Sequence, residues 1–357
     1  MSGHIFWDTQ PVDISKNDIN IMQPYNLPDN FEWVNLNINN DIDIIYNFLA
    51  SYYVNNINAL RKFHYSKDFL KWFLIQSNNI PDLLIGVKYN NKIYATIFGI
   101  PMKIKVFDKI INCIEINFLC VHHKLRNKRL TPVLIKEISR RAILHNIYQA
   151  FYTTSVDLPR SLNKGTYYHR PINVQKLIEL DFIEKTNVLF SIIKKPNINI
   201  RPLQPKDFNI CCEMLNKYNS QFKISILFEQ EDFNYHFTFR PNIIESYVVE
   251  NNNMVTDFIS FFFIPSKIMN NRKYDEMKKA YVYYYFNTIT PLEILMENGL
   301  YFMKKNNMDI VNCMNQYNNM NFINKLNFIE GNGKLNFYLY NYECQALNNN
   351  DIGIIMI

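Results

Sequence analysis

A mixed α/β fold is what this sequence predicts, on three observations. Helical and strand patterns alternate along the chain. One nearly continuous apolar run, through Ile114, Ile116, Phe118, Leu119 and Val121, lacks the period-two alternation of a half-exposed strand and fits a strand covered on both faces. The plan of helices and strands then restarts loosely after a proline-broken polar stretch at residues 194–202. With 357 residues, 48% of them hydrophobic, there is chain enough for two core-sized units or one extended sheet.

Taken in order, the periodicity places helices over residues 41–54 and 67–76, then strands over 83–87 and 93–100 joined by a turn at Asn90 and Asn91. The apolar strand at 114–121 comes next, and Lys124, Arg126, Lys128 and Arg129 make a basic turn directly after it. Thr131 is the expected N-cap of the following helix, with Pro132 at its first position, where a missing N–H costs nothing. Val133, Leu134 and Ile138 would hold the inner face of that helix against the sheet. Free N–H groups and the positive dipole end, flanked by four cations, form a site for phosphate or pyrophosphate of the kind CoA carries. The plainer reading of a Lys/Arg run is a solvated loop, and the preceding strand and the cap weigh against it. Beyond the break near residue 197 come a helix over 208–218, strands over 246–250, 258–264 and 280–286, and a helix over 291–304. The asparagine clusters at 39–40, 251–253 and 348–350 read as turns, because Asn tolerates left-handed backbone. Two units are expected, 1–196 and 197–357.

A net charge of +6 is modest for this length and gives no nucleic-acid footprint. The six cysteines form no CxxC pair and read as reduced core residues. His122 and His123 have no further ligands at metal spacing, so they are read as polar surface and no metal is expected. No run approaches the ~20 apolar residues of a membrane span, and the first residues have no signal-peptide pattern, so a cytoplasmic protein is expected.

From Glu115 to Arg141 the chain reads nearly letter for letter like the first signature of the N-myristoyltransferases. Further pieces fit: residues 6–12, beginning Phe6-Trp7; Phe151-Tyr152-Thr153; Tyr167 to Arg170; and Tyr338 to Asn341. The likeness runs from Phe6 to Ile357. Departures are His123 for a usual Lys, Asn127 for a usual Ser, and residues 327–333, Asn-Phe-Ile-Glu-Gly-Asn-Gly, for the second signature Lys-Phe-Gly-x-Gly-Asp-Gly. What the resemblance implies for the fold is two pseudo-symmetric acetyltransferase-like (GNAT-like) halves sharing a saddle-shaped mixed β-sheet flanked by helices. The N-terminal half would bind acyl-CoA, and the C-terminal half would supply most of the peptide groove and the terminal carboxylate.

The resemblance also implies the chemistry: myristate passes from myristoyl-CoA, a co-substrate, to the amine of an N-terminal glycine on a protein or peptide, with no prosthetic group and no metal. Acyl transfer from a thioester to an amine needs an anion hole, a base and exact placement of both substrates. By residue type Phe118 and Leu119 are core side chains; only the resemblance makes their backbone amides the anion hole. The apolar ending, Gly353 to Ile357, is unlike a frayed terminus and suggests a strand threaded inward. In the family the terminal carboxylate is the base, which assigns that role to Ile357. Thr153 and Asn312 match the positions that orient the glycine amine. Ile5, Phe6, Trp7, Phe118, Leu119, Cys120, Val121, Arg126, Asn127, Lys128, Arg129, Leu130 and Thr131 match the acyl-CoA site. Phe63, Tyr65, Tyr167 and His169 match the wall of the peptide groove, where Arg61 and His64 replace an aromatic and an acid of relatives. About twelve buried methylenes at roughly 0.8 kcal/mol each let a closed apolar tunnel measure chain length. A monomer without nucleic-acid partner or transmembrane segment is expected. Two other readings stay open: a short-chain N-acetyltransferase using the same phosphate turn, and a non-catalytic acyl-CoA or lipidated-peptide binding module.

Overall fold

Side-chain caps start the first helices. Asn37 accepts the N–H groups of Asn39 and Asn40 ahead of α1 (Ile38–Tyr52), and Ser66 accepts that of Phe69 ahead of α2 (Lys67–Leu74). On α1 the buried residues Ile38, Ile42, Ile45 and Leu49 recur every three or four positions, so one stripe faces the sheet. The computed structural model describes residues 23–54, 60–76, 78–184 and 190–357. The remaining helices are α3 (Leu130–Leu144), α4 (Val174–Glu179), α5 (Phe208–Asn219), α6 (Gln230–Phe237), α7 (Leu292–Lys305) and α8 (Met320–Ile323).

The first strands are β1 (Glu32–Asn35), β2 (Arg61–Phe63), β3 (Leu84–Tyr89), β4 (Lys92–Val106), β5 (Lys109–Val121), β6 (Gln149–Thr154) and β7 (Asn163–Pro171). They are followed by β8 (Ile200–Pro202), β9 (Ile224–Ile226), β10 (Ile244–Asn251), β11 (Met254–Phe263), β12 (Ser266–Ile268), β13 (Glu276–Met277) and β14 (Lys279–Asn287). The last are β15 (Ile310–Met314), β16 (Ile329–Tyr340) and β17 (Ile352–Gly353). Asn90 and Asn91 both take left-handed backbone at the β3–β4 turn, as their composition predicts.

Among the described residues 14 strands share one sheet, with the path β1-β3-β4-β5-β6-β16-β7-β15-β14-β11-β10-β8, with β9 beside β4 and β17 beside β9. The two halves follow one plan. Antiparallel β3, β4 and β5 lead through α3 to a parallel partner, β6; antiparallel β10, β11 and β14 lead through α7 to a parallel partner, β15. The halves interlock because β16 inserts between β6 and β7, and β7 in turn pairs with β15. One hydrophobic core accordingly joins Phe98 and Phe118 of the first half to Phe258, Phe262 and Tyr281 of the second.

Each parallel pair opens into a wedge. The β5–β6 ladder ends at Glu115 and Phe151 although both strands run on, and the β14–β15 ladder ends at Tyr281 and Asn312 in the same way.

Two local expectations need correction. Thr131 does not cap α3: the helix starts at Leu130, after Arg129 in left-handed conformation (φ 59°), and no side chain caps it. Pro132 therefore occupies the third helical position, still among those whose N–H has no partner within the helix. The strand at 114–121 is also not covered throughout; Ile116 and Leu119 are only partly buried, and Leu119 opens on a cleft beside α1.

Candidate active site

At the centre of β5 the backbone breaks its ladder. Thr96 pairs with Cys120 and Phe98 with Asn117, so Phe118 and Leu119 together stand opposite the single residue Ile97. This bulge puts Phe118 at φ 50°, a conformation unfavourable for a bulky side chain by about 1–3 kcal/mol. Packing offsets the strain: the Phe118 ring, 1% exposed, lies 5.3 Å from Tyr53 and Tyr65 and 6.0 Å from Phe73 and Phe98. Thr96 Oγ1 donates to the Phe118 carbonyl at 2.8 Å and fixes the turned peptide. Two successive amides thus escape regular pairing, and the Phe118 N–H faces the phenol oxygen of Tyr53. Burial pushes that phenol up to about 12, so it stays protonated.

Beyond the bulge, Tyr52, Tyr53, Val54, Leu119, Cys120, Val121, Arg126 and Thr131 enclose a cleft of about 440 Å³. Arg126 builds its wall, with Nη2 donating to the Tyr52 carbonyl at 2.8 Å and Nε to that of Val121 at 3.2 Å. This stitches the end of α1 to the end of β5. Asn127, Lys128 and Arg129 are exposed at the rim, whereas Leu130 buries its side chain and can offer only backbone. Phosphate groups would meet exposed cations and uncapped N–H groups there. His122 and His123 stack at 4.3 Å on the same turn, and His122 Nδ1 accepts the Lys124 N–H at 3.3 Å, which braces the turn. Ile5, Phe6 and Trp7 lie outside the described residues.

The chain end threads inward. β17 pairs with β9, and Gly353 packs so close to Phe222 that a Cβ would overlap its ring. Ile354 and Met356 are buried, and the Ile355 N–H donates to the hydroxyl of Tyr284 at 2.9 Å. Ile355 and Met356 then join Tyr167, Tyr281, Asn312 and Met314 around a cavity of about 30 Å³ at the second wedge. The Ile357 N–H faces the carboxylate of Glu115, at the apex of the first wedge. Burial pushes the Glu115 carboxyl up to about 7, while the Asn117 amide, donating at 2.6 Å, and the Ile357 N–H pull it back.

Asn312 stands opposite His169 across β15 and β7, its Oδ1 2.7 Å from His169 Nδ1. Thr153 lies two residues past Phe151, the last β6 residue paired with β5, and is level with the opening wedge. Phe63 and Tyr65 stack at 6.2 Å, and Tyr65 meets Phe118, so the aromatic wall runs unbroken to the bulge. Tyr167 and His169 face residues 331–333, where β16 bulges; a Cβ on Gly331 would overlap the His169 ring, and one on Gly333 would press Tyr167 at 3.1 Å. The altered second signature keeps the two glycines that this close approach demands.

Sequence reasoning missed Glu115, Tyr53, Tyr284 and Lys279. Only Glu115 carried a signal, as an acid within an otherwise apolar strand. The others become site residues through strand neighbours far away in the chain.

Two family descriptions match the chain: myristoyl-CoA:protein N-myristoyltransferase, N-terminal domain, over residues 11–164, and the C-terminal domain of the same over residues 175–354. Glycylpeptide N-tetradecanoyltransferase of Plasmodium falciparum is 37% identical over 99% of this chain and 93% of its own length. Glycylpeptide N-tetradecanoyltransferase 1 of Arabidopsis thaliana is 36% identical, over 99% and 89%. The crystal structure of Saccharomyces cerevisiae N-myristoyltransferase with bound myristoyl-CoA superimposes with a TM-score of 0.91 at 32% identity, covering 100% of both chains. A GCN5-related N-acetyltransferase from Anabaena variabilis matches at 0.52 with 10% identity, over 87% of this chain and 72% of that one, which is a likeness of fold alone.

Proposed function

This chain belongs to the myristoyl-CoA:protein N-myristoyltransferase family and is an acyltransferase, and from that premise we propose that it moves myristate from myristoyl-CoA to an N-terminal glycine. Myristoyl-CoA is the co-substrate. It binds first, its phosphates at the basic turn and the start of α3, its thioester at the β5 bulge, and the protein or peptide then enters the groove. The glycine amine attacks the thioester carbonyl directly. An N–C bond forms, the C–S bond breaks, and the thiolate of CoA leaves.

The amides of Phe118 and Leu119 hold the oxygen that becomes negative, the thioester oxygen taking the place of the Tyr53 phenol. Thr153 and Asn312 orient the amine, and the α-carboxylate at Ile357 accepts its proton. A carboxylate is a weak base toward an amine in water, and a water-poor site narrows the gap by raising the one and lowering the other. The observation that carries this reading is the meeting of chain end and bulge, with the Ile357 N–H against Glu115 three residues before Phe118.

The test is turnover of myristoyl-CoA with a Gly-initiated peptide by this chain and by a form extended by three residues past Ile357. Single-turnover amide formation should fall at least tenfold on extension while acyl-CoA binding is retained. An unchanged chemical step would remove Ile357 from the mechanism.

A further inference from the structure

Along the aromatic wall, away from the bulge, stands a cation that the proposed reaction does not use. Lys279 Nζ lies 4.9 Å from the centre of the Phe63 ring, on the far side of the track that runs from Phe118 through Tyr65. On β14 it is two residues before Tyr281, hence on the same face, and Tyr281 pairs with Asn312 at the apex of the second wedge. Lys279 sits deep among protein atoms yet keeps part of its surface in solvent, the condition of a group on the floor of an open groove. Burial and the nearby Arg61 pull its ammonium down to about 8, and its charge also bears on His169.

Among the described residues no carboxylate pairs with Lys279. The neighbouring charges face other groups. Arg61 donates to the Leu180 carbonyl at 2.6 Å, lies over Phe182 and feels Asp181; Glu276 stands opposite Lys267 on β12, whose other partner is Lys62; Glu330 accepts the Tyr168 hydroxyl. A buried cation without an anion is costly unless a ligand supplies one. His64 and Asn332 stand where the family pattern has acids, so the groove mouth has lost two carboxylates while holding Lys279 and Arg61.

We infer that Lys279, with Arg61 behind it, forms a subsite for an acidic side chain of the acceptor, a few residues after its N-terminal glycine. This rests on the groove being the peptide path of the proposed reaction. The steps along the wall from Phe118 to Lys279, of 5.3, 6.2 and 4.9 Å, make a path that an extended chain covers in roughly five residues. Acceptors with Asp or Glu there are selected, and acceptors with Lys there meet like charge.

The experiment uses Gly-initiated octapeptides carrying a single Glu or a single Lys at each of positions 3 to 7, assayed for kcat/KM with myristoyl-CoA. Binding of the same peptides is measured beside it with a non-transferable thioether analogue of myristoyl-CoA. At one position Glu should exceed Lys about tenfold or more. Lys279→Gln should collapse that ratio toward unity, and Lys279→Glu should invert it, which a merely structural role would not do. The inference is overturned if Lys equals or exceeds Glu at every position, or if the ratio survives both substitutions. Loss of turnover with all peptides would fail the reaction, whereas the binding ratios still decide the subsite.

Discussion

Thr96 donates its hydroxyl to the carbonyl of Phe118 at 2.8 Å, in the dry interior between β4 and β5. That bond holds the one peptide that departs from the ladder, and the departure is what frees two adjacent amides. Thr96→Val keeps the shape and removes the donor, leaving the Phe118 carbonyl without its partner at a cost of about 1–3 kcal/mol. The amide-forming step should slow at least tenfold in single-turnover measurements, with far-ultraviolet circular dichroism unchanged. A variant with the parental rate would show that the bulge holds without the hydroxyl.

Glu115 should couple pH to stability and, through its contact with the Ile357 N–H, to turnover. Its carboxyl is pushed up from 4.5 to about 7 in the folded chain, chiefly by burial. Between those values the native state binds more protons than the unfolded state, so stability falls as pH rises through this window, by up to about 3 kcal/mol. Glu115→Gln still accepts from Asn117 and the Ile357 N–H but cannot ionise. Urea unfolding at pH 5 and pH 8 should show a loss for the parent that the variant lacks, and the variant should be the more stable of the two at pH 8. Its rate profile should lose any inflection near pH 7.

Gly331 tests the altered second signature. A methyl group there must displace the His169 ring, and with it the 2.7 Å contact to Asn312. Gly331→Ala should raise KM for the peptide at least tenfold, because the groove wall moves, while affinity for acyl-CoA stays within about twofold. Equal loss of both would point to general misfolding instead.

Much of the local structure was legible. The helix expected over 208–218 is α5 (Phe208–Asn219), that over 291–304 is α7 (Leu292–Lys305), and the strand expected over 280–286 is β14 (Lys279–Asn287). Apolar period and turn chemistry act between near neighbours, so they survive in the linear order of residues. The family likeness likewise rested on contiguous letters, from Glu115 to Arg141. α3 starts two residues before the expected position because Arg129, a residue with a Cβ, takes the left-handed conformation and the N-cap place expected of Thr131.

The sequence by itself determined the class of fold, the existence of the basic turn and the apolar character of the chain end, because each depends on residue type within a short window. Tertiary structure alone decided the insertion of β16 between β6 and β7, the two-against-one bulge at Phe118, the approach of Ile357 to Glu115 and the placing of Lys279 over Phe63. Those relationships join residues from about twenty to more than two hundred positions apart. The register of distant strands sets them, and register follows from packing the whole sheet at once.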